Sequence, residues 1–294
     1  MPEQKSVRLA LPQLRMSKDV EANLDAAVAS VRTAAAGGAH IVALPELCTS
    51  LYFCQVEDAA FCDLAEPAPG RAVAALAAAA RAAGVVVVAP VFERRAAGVY
   101  HNSAFVIDAD GQVVGHYRKM HIPDDPQYYE KFYFTPGDLG FKAWQTRFGK
   151  IGVCVCWDQW YPEAARLTAM QGADIIFYPT AIGWLPADRS VLGAAQRDAW
   201  ETVQRGHAIA NGVFVAATNR CGLEGDPQTG IEFWGNSFVA DPQGVVLARA
   251  GAAEEILFAD LDPGRVEEVR RGWPFFRDRR IDAYGGLTER WLGR

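Results

Sequence analysis

The stretch Gly149-Lys150-Ile151-Gly152-Val153-Cys154-Val155-Cys156-Trp157-Asp158-Gln159-Trp160-Tyr161-Pro162-Glu163 decides how the chain is read. Five apolar or small residues lead into Cys156, and a Trp, an Asp and a Pro-Glu pair follow it. A short apolar run bounded by turn residues reads as a buried strand, and Pro-Glu as the first turn of a helix. The pattern therefore predicts a strand ending at Cys156, a tight turn and a helix start. A thiol so placed lies near the positive end of a helix dipole, which favours its thiolate. Strand alternation turns Cys154 to the face opposite Cys156, toward the core.

The same rules order the rest of the chain. Residues 7–11 alternate as a first strand, and 18–36 carry Val20, Leu24, Ala27, Val28 and Val31 at helical spacing. Gly37 and Gly38 stop that helix, and 40–44 form a short apolar strand running into Pro45-Glu46. An Ala-rich helix is expected over 71–83 and a strand over 85–91. Residues 100–107 and 113–117 make a hairpin about Asp108-Ala109-Asp110-Gly111. Residues 121–139, rich in Pro, Asp and aromatics without periodicity, read as a long functional loop. After Cys156 come a helix (162–171), a strand (173–178), a long helix (193–211) and a strand (213–218). A second hairpin (233–240 with 245–249) and a last strand (255–261) complete the pattern. Strand–helix alternation with interspersed hairpins gives an α/β class with a mixed sheet in one domain, and the two blocks form a loose internal repeat. The tail from Asp262, with Trp273, Phe275, Phe276 and Trp291, is too aromatic to stand free in water. It is expected to pack on the body or on another subunit.

Composition narrows the function. Half of the 294 residues are hydrophobic and 22% are charged, which suits a sizeable core. A net charge of −6 without a basic block argues against nucleic acid or an anionic membrane as partner. The apolar run 72–80 is Ala-rich, shorter than the ~18 residues of a membrane span, and broken by Arg81. Met1-Pro2-Glu3-Gln4-Lys5 leads into the first strand without the apolar core of a signal peptide. Cys48, Cys54, Cys62, Cys154, Cys156 and Cys221 are scattered, which predicts reduced thiols in a cytoplasm. Cys154 and Cys156 have no second pair and the histidines no HExxH spacing, so a structural zinc site is not expected, and the thiol chemistry read below calls for no metal or organic cofactor.

Three polar residues stand at the ends of apolar strands: Glu46, Lys119 and Cys156. Strand carboxyl ends are where ligands meet open α/β sheets. A carboxylate there takes a thiol proton, and an ammonium stabilises thiolate and oxyanion alike. Singly, each has a plainer reading: Glu46 as a helix cap, Lys119 as a surface charge, Cys156 as a core thiol.

The blocks Leu44-Pro45-Glu46, Tyr117-Arg118-Lys119-Met120-His121-Ile122-Pro123 and Cys154-Val155-Cys156-Trp157-Asp158 resemble the three signatures of the carbon–nitrogen hydrolase (nitrilase) superfamily. The similarity spans about residues 6–262 and leaves 263–294 as a C-terminal extension. It implies a four-layer αββα sandwich, joined as αββααββα in a dimer or larger homo-oligomer, and a triad of Glu46, Lys119 and Cys156. A further glutamate of the family falls on Glu130. Residues 124–138 and 156–163 are similar to the branch acting on N-carbamoylputrescine, which implies a small ureido substrate and a place in polyamine synthesis from agmatine. Related D-amino-acid carbamoylases carry carboxylate-clamping arginines just after the nucleophile, where this chain has Gln159 and Trp160. A cationic tail calls instead for aromatic faces and a carboxylate. That nominates Trp157, Trp160, Tyr52, Trp184, Asp124 and Asp125 as substrate contacts, with the Trp157 backbone N–H as an oxyanion donor. The alternatives are an aliphatic amidase or ω-amidase, a carbamoylase for another ureido compound, and a silent binding or scaffold protein on the same fold.

Overall fold

Two six-stranded sheets lie face to face in the computed structural model, which describes residues 6–293. Residues 1–5, read above as the lead-in to the first strand, and Arg294 at the end of the extension lie outside the described residues. Across the first sheet the strands run Glu255–Leu261, Val7–Gln13, Ile41–Ala43, Val86–Ala96, Val99–Ile107 and Val113–Arg118. Across the second they run Val246–Arg249, Phe238–Ala240, Phe214–Asn219, Ile175–Thr180, Gly149–Val153 and Ala143–Thr146. Each sheet has three parallel inner strands flanked by antiparallel ones, which is the loose repeat in three dimensions.

The period of two along each strand builds the layers. Leu9 and Leu11 meet Ile151, Val153 and Phe177 between the sheets. Ala10, Val42 and Val87 point the other way, onto the helices Val20–Ala36 and Arg71–Ala83. On the far side Ile176, Val215 and Ala217 meet the helices Pro162–Met170 and Gly193–Asn211. The order is αββα. Each fully buried leucine of this core is worth about 1.5–3 kcal/mol of transfer free energy. Gly152 lets the helix Pro162–Met170 lie against its strand, because a Cβ there would run into the Thr168 methyl.

Three departures from the sequence pattern have local causes. The strand Val86–Ala96 outruns its expected end and turns at Gly98 (φ +74°) into Val99–Ile107, a hairpin with little turn chemistry beyond that glycine. The expected strand over 233–240 is two strands, Ile231–Trp234 and Phe238–Ala240, broken by left-handed Gly235 and Asn236 (φ +61° and +54°). Ile231–Trp234 leaves the main sheet and pairs with Cys221–Glu224 and Gly183–Trp184 in a three-stranded sheet, whose strands are too short to show a period. The tail begins with a helix, Gly264–Gly272, and Phe276 is then covered by the guanidinium groups of Arg166 and Arg270. Trp273, Phe275, Trp291 and Leu292 remain exposed on the chain. No helix among the described residues is long and apolar enough to cross a membrane.

Candidate active site

The carboxyl ends of strands from both sheets converge on one buried cluster. Ile41–Ala43 runs into Glu46, Val113–Arg118 into Lys119, and Gly149–Val153 toward Cys156. The three side chains sit in residues only 0%, 1% and 5% exposed. Lys119 Nζ donates to Glu46 Oε1 at 2.8 Å and to Glu130 Oε2 at 2.6 Å. Asn102 Nδ2 also donates to Glu46 Oε1, at 2.7 Å, which leaves Glu46 Oε2 buried without a partner. Glu130 opens the short helix Glu130–Tyr133, and its Oε1 accepts the Tyr52 hydroxyl at 2.7 Å. The Gly137 N–H donates to the Lys119 carbonyl at 2.8 Å, and only glycine permits that approach, since a Cβ would overlap the Arg118 carbonyl.

Charge and burial oppose each other here. Burial works against the Lys119 ammonium, but the carboxylates of Glu130 and Glu46 outweigh it and hold the group charged, well above the usual lysine range. Burial pushes Glu130 up to about 7, with Lys119 pulling the other way. Burial likewise pushes the Cys156 thiol well above the usual cysteine range; Glu46 adds to this and Lys119 opposes it. Burial and Glu46 thus favour the thiol form, and Lys119 favours the thiolate.

The backbone corrects the placement of Cys156 at a strand end beside a helix start. The strand stops at Val153, Cys156 opens the 3₁₀ turn Cys156–Trp160, and the helix begins only at Pro162. Cys156 has φ +42°, a left-handed conformation that costs a non-glycine residue about 1–2 kcal/mol. Asp158 holds that turn. Its Oδ2 accepts the Val155 N–H at 2.9 Å and the Tyr117 hydroxyl at 2.7 Å, and its Oδ1 accepts the His121 N–H at 3.0 Å. Strain of this kind is stable only where the surroundings over-determine it. Cys154 faces away, its Sγ 3.4 Å from Thr168 Oγ1 under the outer helices.

A cavity of about 290 Å³ opens over Cys156. Its walls include Glu130, Asp125, Tyr128, Trp157, Trp160 and Trp234; they hold two carboxylates and no basic side chain. Of the expected contacts, Trp157, Trp160 and Asp125 line it. Tyr52 does not: it is fully buried beneath Glu130. Trp184 stands outside the lining, 5.2 Å behind Trp234, with its Nε1 donating to the Gly193 carbonyl. Asp124 is exposed and also outside the lining. Gln159 is buried away from the cavity, its Oε1 accepting from Trp200 Nε1 and Thr180 Oγ1. Asn102, Tyr128 and Trp234 were given no role by the sequence reading, and Asp158 entered it only as the last residue of the block 154–158. Asn102 sits in the polar run His101-Asn102-Ser103 of its strand, which did not single it out.

Known proteins share this arrangement of sheets. The family model for carbon–nitrogen hydrolases matches residues 8–271. The N-carbamoylputrescine amidase of Solanum lycopersicum is 45% identical, the match covering 95% of this chain and 93% of that one. The citrullinase of Francisella tularensis is 38% identical, covering 97% and 99%. The crystal structure of a carbon–nitrogen hydrolase from Helicobacter pylori G27 matches with a TM-score of 0.95 at 48% identity, covering 98% and 100%. The fold is thus the nitrilase-superfamily sandwich, and the chemistry is cysteine-dependent hydrolysis of a carbamoyl or amide C–N bond. The chain belongs to the carbon–nitrogen hydrolase family.

Proposed function

We propose that the enzyme hydrolyses N-carbamoylputrescine to putrescine, carbon dioxide and ammonia, with Cys156 as the nucleophile. The observation that carries this reading is the wall over Cys156: three indoles, two carboxylates and no basic side chain. The substrate has a neutral ureido head, a methylene chain and a terminal ammonium. Indole faces attract a cation by about 0.5–2 kcal/mol, and Asp125 supplies opposite charge. Citrulline has the same head but sets a carboxylate beside its ammonium, and this wall offers no guanidinium to meet that carboxylate. The amidase relative from Solanum lycopersicum supports the same choice.

The mechanism follows from the proton inventory. Burial favours the protonated thiol, so a base must take its proton as sulfur attacks. Glu46 Oε2, buried with no other partner, takes it. Sulfur bonds to the ureido carbon, and the developing oxyanion is met by Lys119 Nζ and the Trp157 N–H. Glu46 passes the proton to the unsubstituted nitrogen, the C–N bond breaks and ammonia leaves, so Cys156 carries an N-alkylcarbamoyl thioester. Glu46 then deprotonates a water that attacks the same carbon. The C–S bond breaks, the thiol recovers its proton, and the released carbamate splits into carbon dioxide and putrescine. Glu130 orients the ureido group and, with Glu46, keeps Lys119 charged. The redox and Lewis-acid needs of the reaction are nil, so water is the only co-reactant.

Ammonia release should be compared for N-carbamoylputrescine, citrulline, N-carbamoyl-β-alanine and a simple aliphatic amide. N-carbamoylputrescine is expected to lead in kcat/KM by at least about tenfold, the value of one desolvated charge contact. A higher value for citrulline or the aliphatic amide would replace this substrate assignment. Asp125→Asn should raise KM for N-carbamoylputrescine by about 10- to 100-fold with little change in kcat. Butylurea, which lacks the ammonium, should be turned over equally by both forms; an equal loss on butylurea would remove Asp125 from recognition of the charge.

We further propose a cytoplasmic homo-oligomer, at least a dimer. The six free thiols fit a reducing compartment. Leu167, Met170, Trp273 and Trp291 are 44%, 48%, 55% and 80% exposed, an apolar surface that a second copy would cover. Light scattering should give at least twice the chain mass; a monomer at micromolar concentration would contradict this.

A further inference from the structure

Three carbonyl groups of the loop carrying Glu46 converge on one buried guanidinium. Arg220 directly follows the strand Phe214–Asn219 and is fully buried. Its Nη2 donates to the Glu46 carbonyl at 2.6 Å and the Leu47 carbonyl at 2.9 Å, and its Nη1 donates to the Ser50 carbonyl at 3.2 Å. Its charge is balanced by Glu224, whose Oε1 lies 2.9 Å from Nη1, and the Phe233 ring lies 5.3 Å from the guanidinium. Glu224 Oε2 in turn accepts the Tyr52 backbone N–H at 2.6 Å.

These contacts close a ring. Arg220 holds the Glu46 backbone and Glu224 the Tyr52 backbone. The Tyr52 hydroxyl holds Glu130, Glu130 holds Lys119, and Lys119 holds the Glu46 carboxylate. The loop needs such a hold. Leu47 sits at φ +48°, a left-handed conformation unfavourable for leucine. Apart from the Ser50 N–H to Leu47 carbonyl bond at 3.2 Å, Asn23 Nδ2 on the Thr49 carbonyl and Cys48 Sγ on the Pro90 carbonyl hold the middle of the loop and not residue 46. A buried ion pair is a poor device for stability alone, because desolvation offsets most of its attraction. A planar fork that reaches several carbonyl oxygens at once is a good device for direction.

We propose that Arg220 and Glu224 are positioning residues for the hydrolysis, locking residues 46–52 so that Glu46 and Tyr52 keep their aim within the site. This rests on the role given above to Glu46 as the base. It adds that the base is aimed by a salt bridge from the other half of the chain. Lysine at position 220 keeps the charge but loses the fork.

The test is Arg220→Lys beside Glu224→Asp, which keeps the buried charges balanced and so guards against a failure to fold. Both are read at 20 °C per folded site, with circular dichroism as the check on folding. Expected for each is a kcat lower by about 10- to 100-fold, the cost of an ångström-scale misplacement, with KM within about threefold. Turnover is measured on whichever linear amide the wild type cleaves fastest. Iodoacetamide labelling of Cys156, normalised to the partly exposed Cys62, should slow by a similar factor, because Glu46 no longer aligns to take the thiol proton. That labelling requires no substrate, so a wrong choice of ureido compound leaves this test standing. Folded variants with a lowered melting temperature but wild-type kcat and labelling would overturn the proposal and leave the pair purely structural.

Discussion

Cys156→Ala is expected to abolish ammonia release, with kcat reduced by about 10⁴-fold or more, while the melting temperature stays near that of the wild type. The loss is large because the sulfur forms and breaks the covalent bond, so no other group shares its work. The fold survives because the thiol contributes little to it. Its sulfur has one distant polar contact, the Ala181 carbonyl at 3.9 Å, and the φ of +42° is imposed by the Asp158 bonds rather than by the side chain. Cys156→Ser should fare little better than alanine. A hydroxyl ionises far less readily than a thiol, in a site where burial and Glu46 already oppose the anion. Wild-type turnover by the alanine variant would remove Cys156 from the chemistry.

Lys119→Met is the second large effect, and it strikes stability as well as rate. The ammonium lies between two buried carboxylates, at 2.8 Å from Glu46 and 2.6 Å from Glu130. Removing it leaves both without a counter-ion, at a cost of about 3–5 kcal/mol. Loss of the oxyanion contact adds about 10²–10³-fold in kcat. The pH dependence has a definite sign. Glu130, raised by burial to about 7 from 4.5, binds more protons folded than unfolded between those values. Stability from this group therefore falls as pH rises through that window. Without Lys119 the upper limit moves higher, so the variant should melt at a higher temperature at pH 5 than at pH 8, and more steeply so than the wild type. A variant whose melting temperature does not change with pH, and which keeps full activity, would show that Lys119 is not the group holding the two carboxylates.

Polar residues at the ends of apolar strands nominated Glu46, Lys119 and Cys156, but each had a plainer reading alone, and it was the family resemblance that joined them as a triad. Glu130 had not even that signal and came through the resemblance alone, since its loop has no period to read. Tyr52 and Trp184 show the limit of residue chemistry as a guide. An aromatic ring suits a cation, but nothing in its neighbours in sequence says whether it lines a cavity or backs a residue that does. Trp234 takes the place expected of Trp184, on a strand of four residues in a sheet whose other members have four and two. Pattern needs more length than that. Arg220 was invisible for a different reason: its partners Glu46 and Leu47 are more than a hundred and seventy positions away, and they offer carbonyl groups, which every residue has. The upward push on the Cys156 thiol is likewise a tertiary result, made by burial and by Glu46.

The most direct measurement is mass spectrometry of the wild-type enzyme acid-quenched during its first turnovers of N-carbamoylputrescine, followed by peptide mapping. The expected adduct has the mass of the substrate less ammonia and sits on the peptide carrying Cys156. An adduct on any other residue, or putrescine formed through the first cycle with no adduct on that peptide, would contradict catalysis through a Cys156 thioester.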